Sequence, residues 1–133
     1  MGVIVDTNVF IEAERRHGAV DLNQWKDRGS VFLSVITVSE LLIGVHRANT
    51  PERKSRRAEF VEAILTAIPI LKVDEEVARE HANLFAGLAS RGQMIAAHDL
   101  WIAATAITHN HALLTANTAE FLHVEGLEVL QFA

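Results

Sequence analysis

Three acidic residues lie where apolar segments of the sequence begin or end, a pattern that favours joint chemistry. They are Asp6, Glu40 and Asp99. Carboxylates that a fold brings together repel one another and raise each other's pKa unless a cation lies between them. Ligand sets made only of oxygen select Mg²⁺ or Mn²⁺. The sequence therefore predicts a divalent-metal site if the fold gathers these three residues.

Each acid also has a purely structural interpretation. Asp6 precedes a predicted helix and can cap it, and Asp99 is favoured by the dipole at the start of another helix. Glu40 follows Thr37 by three residues, which is the spacing of a capping box. Against that, Gly44 lies one helical turn from Glu40 on the same side and leaves space beside the carboxylate. Both interpretations stay open for each acid.

A polar segment, TANTAEF, follows the fourth predicted strand. We expect Thr115, Asn117 and Glu120 from this segment to reach the same crevice as the three acids. The structural alternative is a polar turn that tolerates left-handed backbone, and it is strongest for Asn117.

Strand-like and helix-like patterns alternate along the whole chain. Strands are predicted at 2–6, 30–34, 70–73, 112–115 and 127–132. Helices are predicted at 7–17, 21–27 and 37–48, from Thr50 to Pro69, from Asp74 to Gly92, at 98–109, and briefly within 117–123. This order predicts an α/β protein, a single-domain α/β/α sandwich with a central parallel five-stranded sheet. Such folds bind ligands beyond the carboxyl ends of their strands, where Asp6 is expected.

Bulk composition limits the class of protein. The chain has 133 residues, of which half are hydrophobic, and suits one domain over residues 1–133. It contains no cysteine, which excludes disulfides and thiolate metal sites. It opens directly into a strand-like run without a leader or a membrane-spanning stretch, so we expect a cytoplasmic protein that does not associate with a membrane.

Basic residues cluster in one part of an acidic chain. The formal net charge of −5 has the wrong sign for binding nucleic acid by bulk attraction, so any such binding needs a local patch. Five of the twelve Lys and Arg residues form the basic cluster: Arg47, Arg53, Lys54, Arg56 and Arg57. The alternative is a solvated helix face.

Other chemistries lack candidates. The histidines do not have zinc-type spacing, and the chain contains neither a glycine-rich phosphate loop nor a serine in a nucleophile-elbow context. A phosphatase of the haloacid-dehalogenase type needs a second acid two residues after the first, where this chain has Asn8. A receiver domain needs an acid pair and a well-placed lysine, and Lys72 stands in the wrong context.

Four segments together resemble the PIN-domain family, specifically the VapC-type toxins of bacterial toxin–antitoxin pairs. They are VIVDTNVFI, TVSELLIGVHRA, HDLWIAATAITHNHALLT and TANTAEF, in the family's order and spacing over essentially the whole chain. The resemblance implies that Asp6, Glu40 and Asp99 are metal ligands and that Thr7 is the hydroxyl residue beside the first acid. The family often has a fourth acid where this chain has Asn117, with Glu120 one turn further on. Because of this departure, the resemblance does not decide between one and two metal ions.

The resemblance also implies an activity and partners. It implies a Mg²⁺- or Mn²⁺-dependent endoribonuclease that acts on tRNA or rRNA as a growth-inhibiting toxin, with the basic cluster holding the RNA backbone. It implies a VapB-like antitoxin whose C-terminal segment binds an apolar groove between helices, with an antitoxin arginine reaching the acids, and it implies a homodimer. The alternative is an inactive PIN-like module that binds RNA or protein without cleavage.

Overall fold

The computed structural model of the chain describes residues 2–16 and 29–132. The strands are β1 (Val3–Val5), β2 (Val31–Ser34), β3 (Ile70–Leu71), β4 (Ala112–Thr115) and β5 (Val129–Gln131). The helices are α1 (Thr7–Arg15), α2 (Val35–His46), α3 (Pro51–Ala67), α4 (Glu75–Ser90), α5 (Ala97–Thr108) and α6 (Thr118–Phe121). The helix predicted at 21–27 lies outside the described residues.

The five strands form one parallel sheet in the order β3-β2-β1-β4-β5. The chain builds the sheet outwards from the central β1 to β3, then returns to the other side of β1 for β4 and β5. The order therefore reverses at β1, and ligand-binding crevices of α/β sheets lie at such a reversal. The predicted fold class is confirmed.

Two apolar cores cover the two faces of the sheet. Because side chains alternate along a strand, β1 supplies Ile4 to one core and Val3 and Val5 to the other. The first core packs α4 and α5 against the sheet, and the second packs α1, α2 and α3. Within α5, residues 102–106 are all buried, as the apolar sequence of this helix predicts. The described residues form no helix that is long and apolar enough to cross a membrane.

The start of α2 differs from the sequence prediction. The hydroxyl of Ser34 accepts a hydrogen bond from the amide of Ile36 at 3.1 Å, so Ser34 is the N-cap and the helix begins two residues before Thr37. Thr37 is fully buried inside the first turn. The capping-box interpretation of Glu40 is therefore wrong, and its carboxylate is free for other contacts.

Candidate active site

Asp6 lies directly after the central strand, at the reversal point of the sheet. Its side chain is nearly buried, at 4% exposure. One carboxylate oxygen, Oδ1, accepts from the amide of Thr7 at 2.8 Å and so caps α1. The other, Oδ2, accepts from the hydroxyl of Thr115 at 2.8 Å. The cap thus occupies one oxygen of Asp6 and does not exclude a role in the crevice.

The hydroxyl of Thr115 holds three neighbours in place. It donates to Asp6, and it accepts from the amide of Asn117 at 3.0 Å and from Nδ2 of Asn8 at 3.2 Å. A hydroxyl has one proton to donate and two lone pairs, so these bonds use its full capacity. Asn8 in turn accepts from the amide of Ala116 at 3.0 Å. Asn8 was not among the residues predicted for the site.

Glu40 lies across the crevice on α2, and each of its oxygens has a partner. Thr7 donates its hydroxyl proton to Oε1 at 2.6 Å. The Thr37 hydroxyl lies 3.2 Å from that of Thr7 and donates to it, because the Thr7 proton is committed to the carboxylate. On the other side, Nδ1 of His98 lies 3.3 Å from Oε2. The hydroxyl of Thr7 thus lies beside Glu40, and neither this contact nor that of His98 was predicted from the sequence.

Asp99 lies in the first turn of α5 and is the most strongly perturbed acid of the site. Its pKa is raised to about 7 by several causes that act in the same direction. Burial is the largest, followed by the charge of Asp6, a hydrogen bond with Glu120 and the charges of Glu120 and Glu40. Burial also raises the pKa of Asp6, which the hydrogen bonds from Thr115 and Thr7 oppose and the charges of Glu40 and Glu120 reinforce. These four carboxyl groups therefore act on one another within a single crevice.

The two candidates for the fourth oxygen ligand have different surroundings. Glu120 accepts a hydrogen bond from the amide of Ala96 at 2.8 Å and so caps α5, whose N-cap residue makes no side-chain capping bond of its own. Glu120 also hydrogen-bonds to Asp99. Asn117 is exposed, and its side chain makes no capping hydrogen bond to α6. Glu120 thus lies among the acids, while Asn117 lies at the rim.

The donor set suits a hard divalent cation, although it is not a preformed cage. Within residues 2–16 and 29–132, no three His, Asp or Glu side chains form a group that could hold a metal ion as they are placed. The oxygens of Asp6 and Glu40 make hydrogen bonds with hydroxyl, amide and imidazole groups. The acids of the crevice supply only oxygen donors. The pKa values of Asp6 and Asp99 are raised by burial first and by the charges of neighbouring carboxylates second, and a cation would relieve that repulsion.

A groove of about 240 Å³ opens beside Glu40, between α1, α2 and α3. Gly44 lines it, in agreement with the expected space beside the carboxylate. Six of the ten lining residues are apolar or glycine and four are charged, two of which form an ion pair. The lining residues are Phe10, Ile11, Glu14, Arg15, Glu40, Leu41, Gly44, Arg57, Phe60 and Val61.

The basic cluster divides into two parts. Arg47, Arg53, Lys54 and Arg56 are exposed at the end of α2 and the start of α3. Arg57 is half-buried in the groove, where Nε lies 3.1 Å from Glu14 and Nη1 donates to the carbonyl of Gly44 at 3.0 Å. Arg57 therefore joins three helices, which the sequence cluster did not predict.

The fold and the site together define a parallel α/β protein with an acidic crevice at its topological reversal point. The PIN-domain family profile matches residues 3–127. The ribonuclease VapC1 of Rickettsia felis is 39% identical over 130 residues, which cover 98% of this chain and 96% of that protein. The chain therefore belongs to the PIN-domain family and is of the VapC type.

Solved structures agree with this assignment. FitAcB from Neisseria gonorrhoeae superposes with a TM-score of 0.84 at 33% identity, over 97% of this chain and 96% of that one. A member of the VapBC family of toxin-antitoxin systems, VapBC-5 from Mycobacterium tuberculosis, gives a TM-score of 0.78 at 28% identity, over 99% of this chain and 100% of that one.

Proposed function

We propose that this protein is a Mg²⁺- or Mn²⁺-dependent endoribonuclease that acts as the toxin of a toxin–antitoxin pair. The observation that carries the proposal is a single crevice in which burial and the charges of neighbouring carboxylates, including Glu40 and Glu120, raise the pKa of both Asp6 and Asp99. The ribonuclease part of the proposal is supported by the ribonuclease VapC1 of Rickettsia felis, whose sequence aligns with this one over nearly the whole of both chains.

Asp6, Glu40 and Asp99 would hold the metal ion, with Glu120 and Asn117 as accessory oxygen donors around a second position. A bound divalent ion lowers the pKa of its water and neutralises charge that develops on the phosphate. Thr7 and Thr115 keep the carboxylates oriented through the hydrogen bonds described above. One carboxylate also accepts the proton of the attacking water.

The exposed basic residues would hold the RNA backbone. Arg47, Arg53, Lys54 and Arg56 offer cations to phosphates, which offsets the repulsion between an anionic strand and an acidic site. Arg57 would offer a further cation to the RNA backbone from within the groove. The RNA would be tRNA or rRNA.

A VapB-like antitoxin would neutralise the enzyme, as the toxin–antitoxin description of VapBC-5 suggests for a relative. Its C-terminal segment would occupy the apolar groove beside Glu40, and an antitoxin arginine would reach the acids. We also propose a homodimer. A small upstream open reading frame with a DNA-binding N-terminal half would support the partner, and its absence from the genomic neighbourhood would count against it.

Cleavage of a total tRNA and rRNA preparation tests the activity. We expect fragments with Mg²⁺ or Mn²⁺ and none with EDTA, and we expect Asp6→Asn and Asp99→Asn to abolish cleavage while remaining folded by circular dichroism. Cleavage that persists in either variant would remove the assignment of these acids.

A binding module without activity is the second candidate. It is favoured by Asn117, which stands where the family often has an acid, and by the absence of a preformed three-acid metal group in the described part of the chain. This candidate predicts that the protein retards RNA on a gel yet leaves it intact in Mn²⁺.

A further inference from the structure

Glu40 is held by side chains from two different parts of the fold. Thr7 of α1 donates to Oε1, and the imidazole of His98 on α5 lies against Oε2. The first contact lies at the base of the crevice, beside buried Thr37. The second lies at the mouth, where the His98 side chain is 56% exposed and that of Glu40 is 28% exposed. The Glu40 carboxylate is therefore held at both of its oxygens, one at the base of the crevice and one at its mouth.

His98 directly precedes Asp99 on the same helical turn. Its contact with Glu40 consequently joins α2 to α5 at the point where each helix carries an acid of the site. Glu40 and Asp99 repel each other, since the charge of Glu40 is one cause of the raised pKa of Asp99. A hydrogen bond between the two helices opposes this repulsion and limits how far the acids separate.

From this geometry we propose that His98 is a positioning residue, which donates Nδ1–H to Oε2 of Glu40 and thereby sets the orientation of that carboxylate for a divalent cation. The inference rests on the proposed metal-dependent function. It adds a residue of this chain that acts through Glu40 and does not itself bind the ion.

The role does not require a charged imidazole. In one tautomer of neutral histidine, Nδ1 carries the proton and Nε2 accepts, and the carboxylate selects that tautomer. Only the position of the donor matters. This property allows a test with isosteric amides, because the amide nitrogen of asparagine overlays Nδ1 whereas that of glutamine overlays Nε2.

The experiment measures Mn²⁺ affinity by calorimetry on full-length protein, for wild type, His98→Asn, His98→Gln and His98→Ala. Partners of metal ligands affect metal affinity about 10- to 100-fold, and an exposed partner belongs at the low end of that range. We expect His98→Asn to bind within about twofold of wild type, and His98→Gln and His98→Ala to bind about tenfold more weakly. His46→Gln, at the exposed end of α2, is the matched control and should leave the affinity unchanged.

Melting temperatures in EDTA separate positioning from folding. Because His98 is exposed, its variants should melt close to wild type without metal, so that weaker Mn²⁺ binding reflects the site alone. Equal affinity in all variants would overturn the proposal, and so would equal weakening in His98→Asn and His98→Gln, which would indicate direct ligation by the imidazole. If wild type itself takes up no Mn²⁺, the proposed metal-dependent function fails, an outcome distinct from failure of the His98 role alone.

Discussion

At the scale of single residues, hydroxyl groups orient the carboxylates of this site through hydrogen bonds. Thr115 is the clearest case, because its buried hydroxyl serves Asp6, Asn8 and the backbone of Asn117 at once. A buried polar group that loses its partner has to bear the full cost of desolvation. The hydroxyl of Thr115 therefore contributes to stability and to the geometry of the acid together.

Thr115→Val removes that hydroxyl without changing the shape of the side chain. We expect a loss of about 2–3 kcal/mol in the free energy of unfolding, since Asp6 and its neighbours lose a buried partner. Thr115→Ser keeps the hydroxyl and should lose only about 1 kcal/mol for the missing methyl group. Urea denaturation measures both values. Equal losses in the two variants would show that the methyl group, and not the hydrogen bonds, stabilises this position.

Asp99 makes the stability of the metal-free protein depend on pH. Its pKa is 3.8 in the unfolded reference and about 7 in the fold, so the native state retains a proton that the unfolded chain releases. The stability that Asp99 contributes is complete below about pH 3.8 and is lost as the pH rises through about 7.

Asp99→Asn should remove this dependence, because the amide imitates the protonated acid and can still donate to Glu120. We expect the stability of the variant relative to wild type to increase by about 1–2 kcal/mol from pH 4 to pH 8 in EDTA, a value reduced for solvent screening of a half-exposed group. Urea denaturation across that pH range measures the difference. A difference that is constant with pH would mean that Asp99 ionises normally.

The sequence predicts the acids of the site better than it predicts their partners. Asp6 and Asp99 were recognisable because a carboxylate beside a buried apolar segment is energetically unfavourable unless a partner or a ligand compensates its charge. His98 and Glu40 are 58 positions apart, and Asn8 and Thr115 are 107 apart. Such hydrogen bonds leave no spacing pattern, so they become visible only when the fold brings the elements together.

At the scale of elements, α3 combines a structural arginine with exposed cations. Its start was predictable from Thr50 and Pro51, and the hydroxyl of Thr50 indeed accepts from the amide of Arg53 at 3.1 Å. The different role of Arg57 was not predictable, because it depends on how α3 packs against α1 and α2. The basic cluster should therefore separate into two functional classes upon mutation.

Neutralising the exposed class tests its proposed role in RNA binding. The triple variant Arg53→Gln, Lys54→Gln, Arg56→Gln should reduce the slope of log affinity against log salt for single-stranded RNA by about 2, since each phosphate contact contributes about 0.7. Its stability should stay within about 0.5 kcal/mol of wild type. Filter binding at several salt concentrations measures the slope, and an unchanged slope would make this part of the cluster ordinary surface.

Arg57→Met is the contrasting variant on the same helix. It keeps the aliphatic stem but loses the ion pair with Glu14 and the hydrogen bond to the Gly44 carbonyl. We expect it to lower the free energy of unfolding by about 1 kcal/mol, an effect that the exposed residues should not produce. Urea denaturation compares the two variants, and equal stability would place Arg57 in the exposed class.

At the scale of the whole molecule, the parallel sheet delivers each acid to the same edge from a different element. Asp6 directly follows the central strand, Glu40 lies on the helix after β2, and Asp99 lies on the helix that precedes β4. The alternation of strands and helices predicted the parallel sheet and the crevice beyond its carboxyl ends, where Asp6 was expected, but the gathering of all three acids depended on the fold. The strand order that puts β1 at the centre was not visible in the sequence.

Convergence of this kind means that a cation bound in the crevice would join elements from both cores and stabilise the whole fold. If only the native state binds Mn²⁺, free ion at about 100 times the dissociation constant should add about 2.7 kcal/mol to the free energy of unfolding of wild type. Glu40→Gln should gain much less, because it loses one ligand charge, whereas Glu59→Gln, exposed on α3, should respond as wild type does. Thermal denaturation with Mn²⁺ and with EDTA measures the three responses. Equal gains in wild type and Glu40→Gln would show that Mn²⁺ stabilises the protein at a position that does not involve this acid.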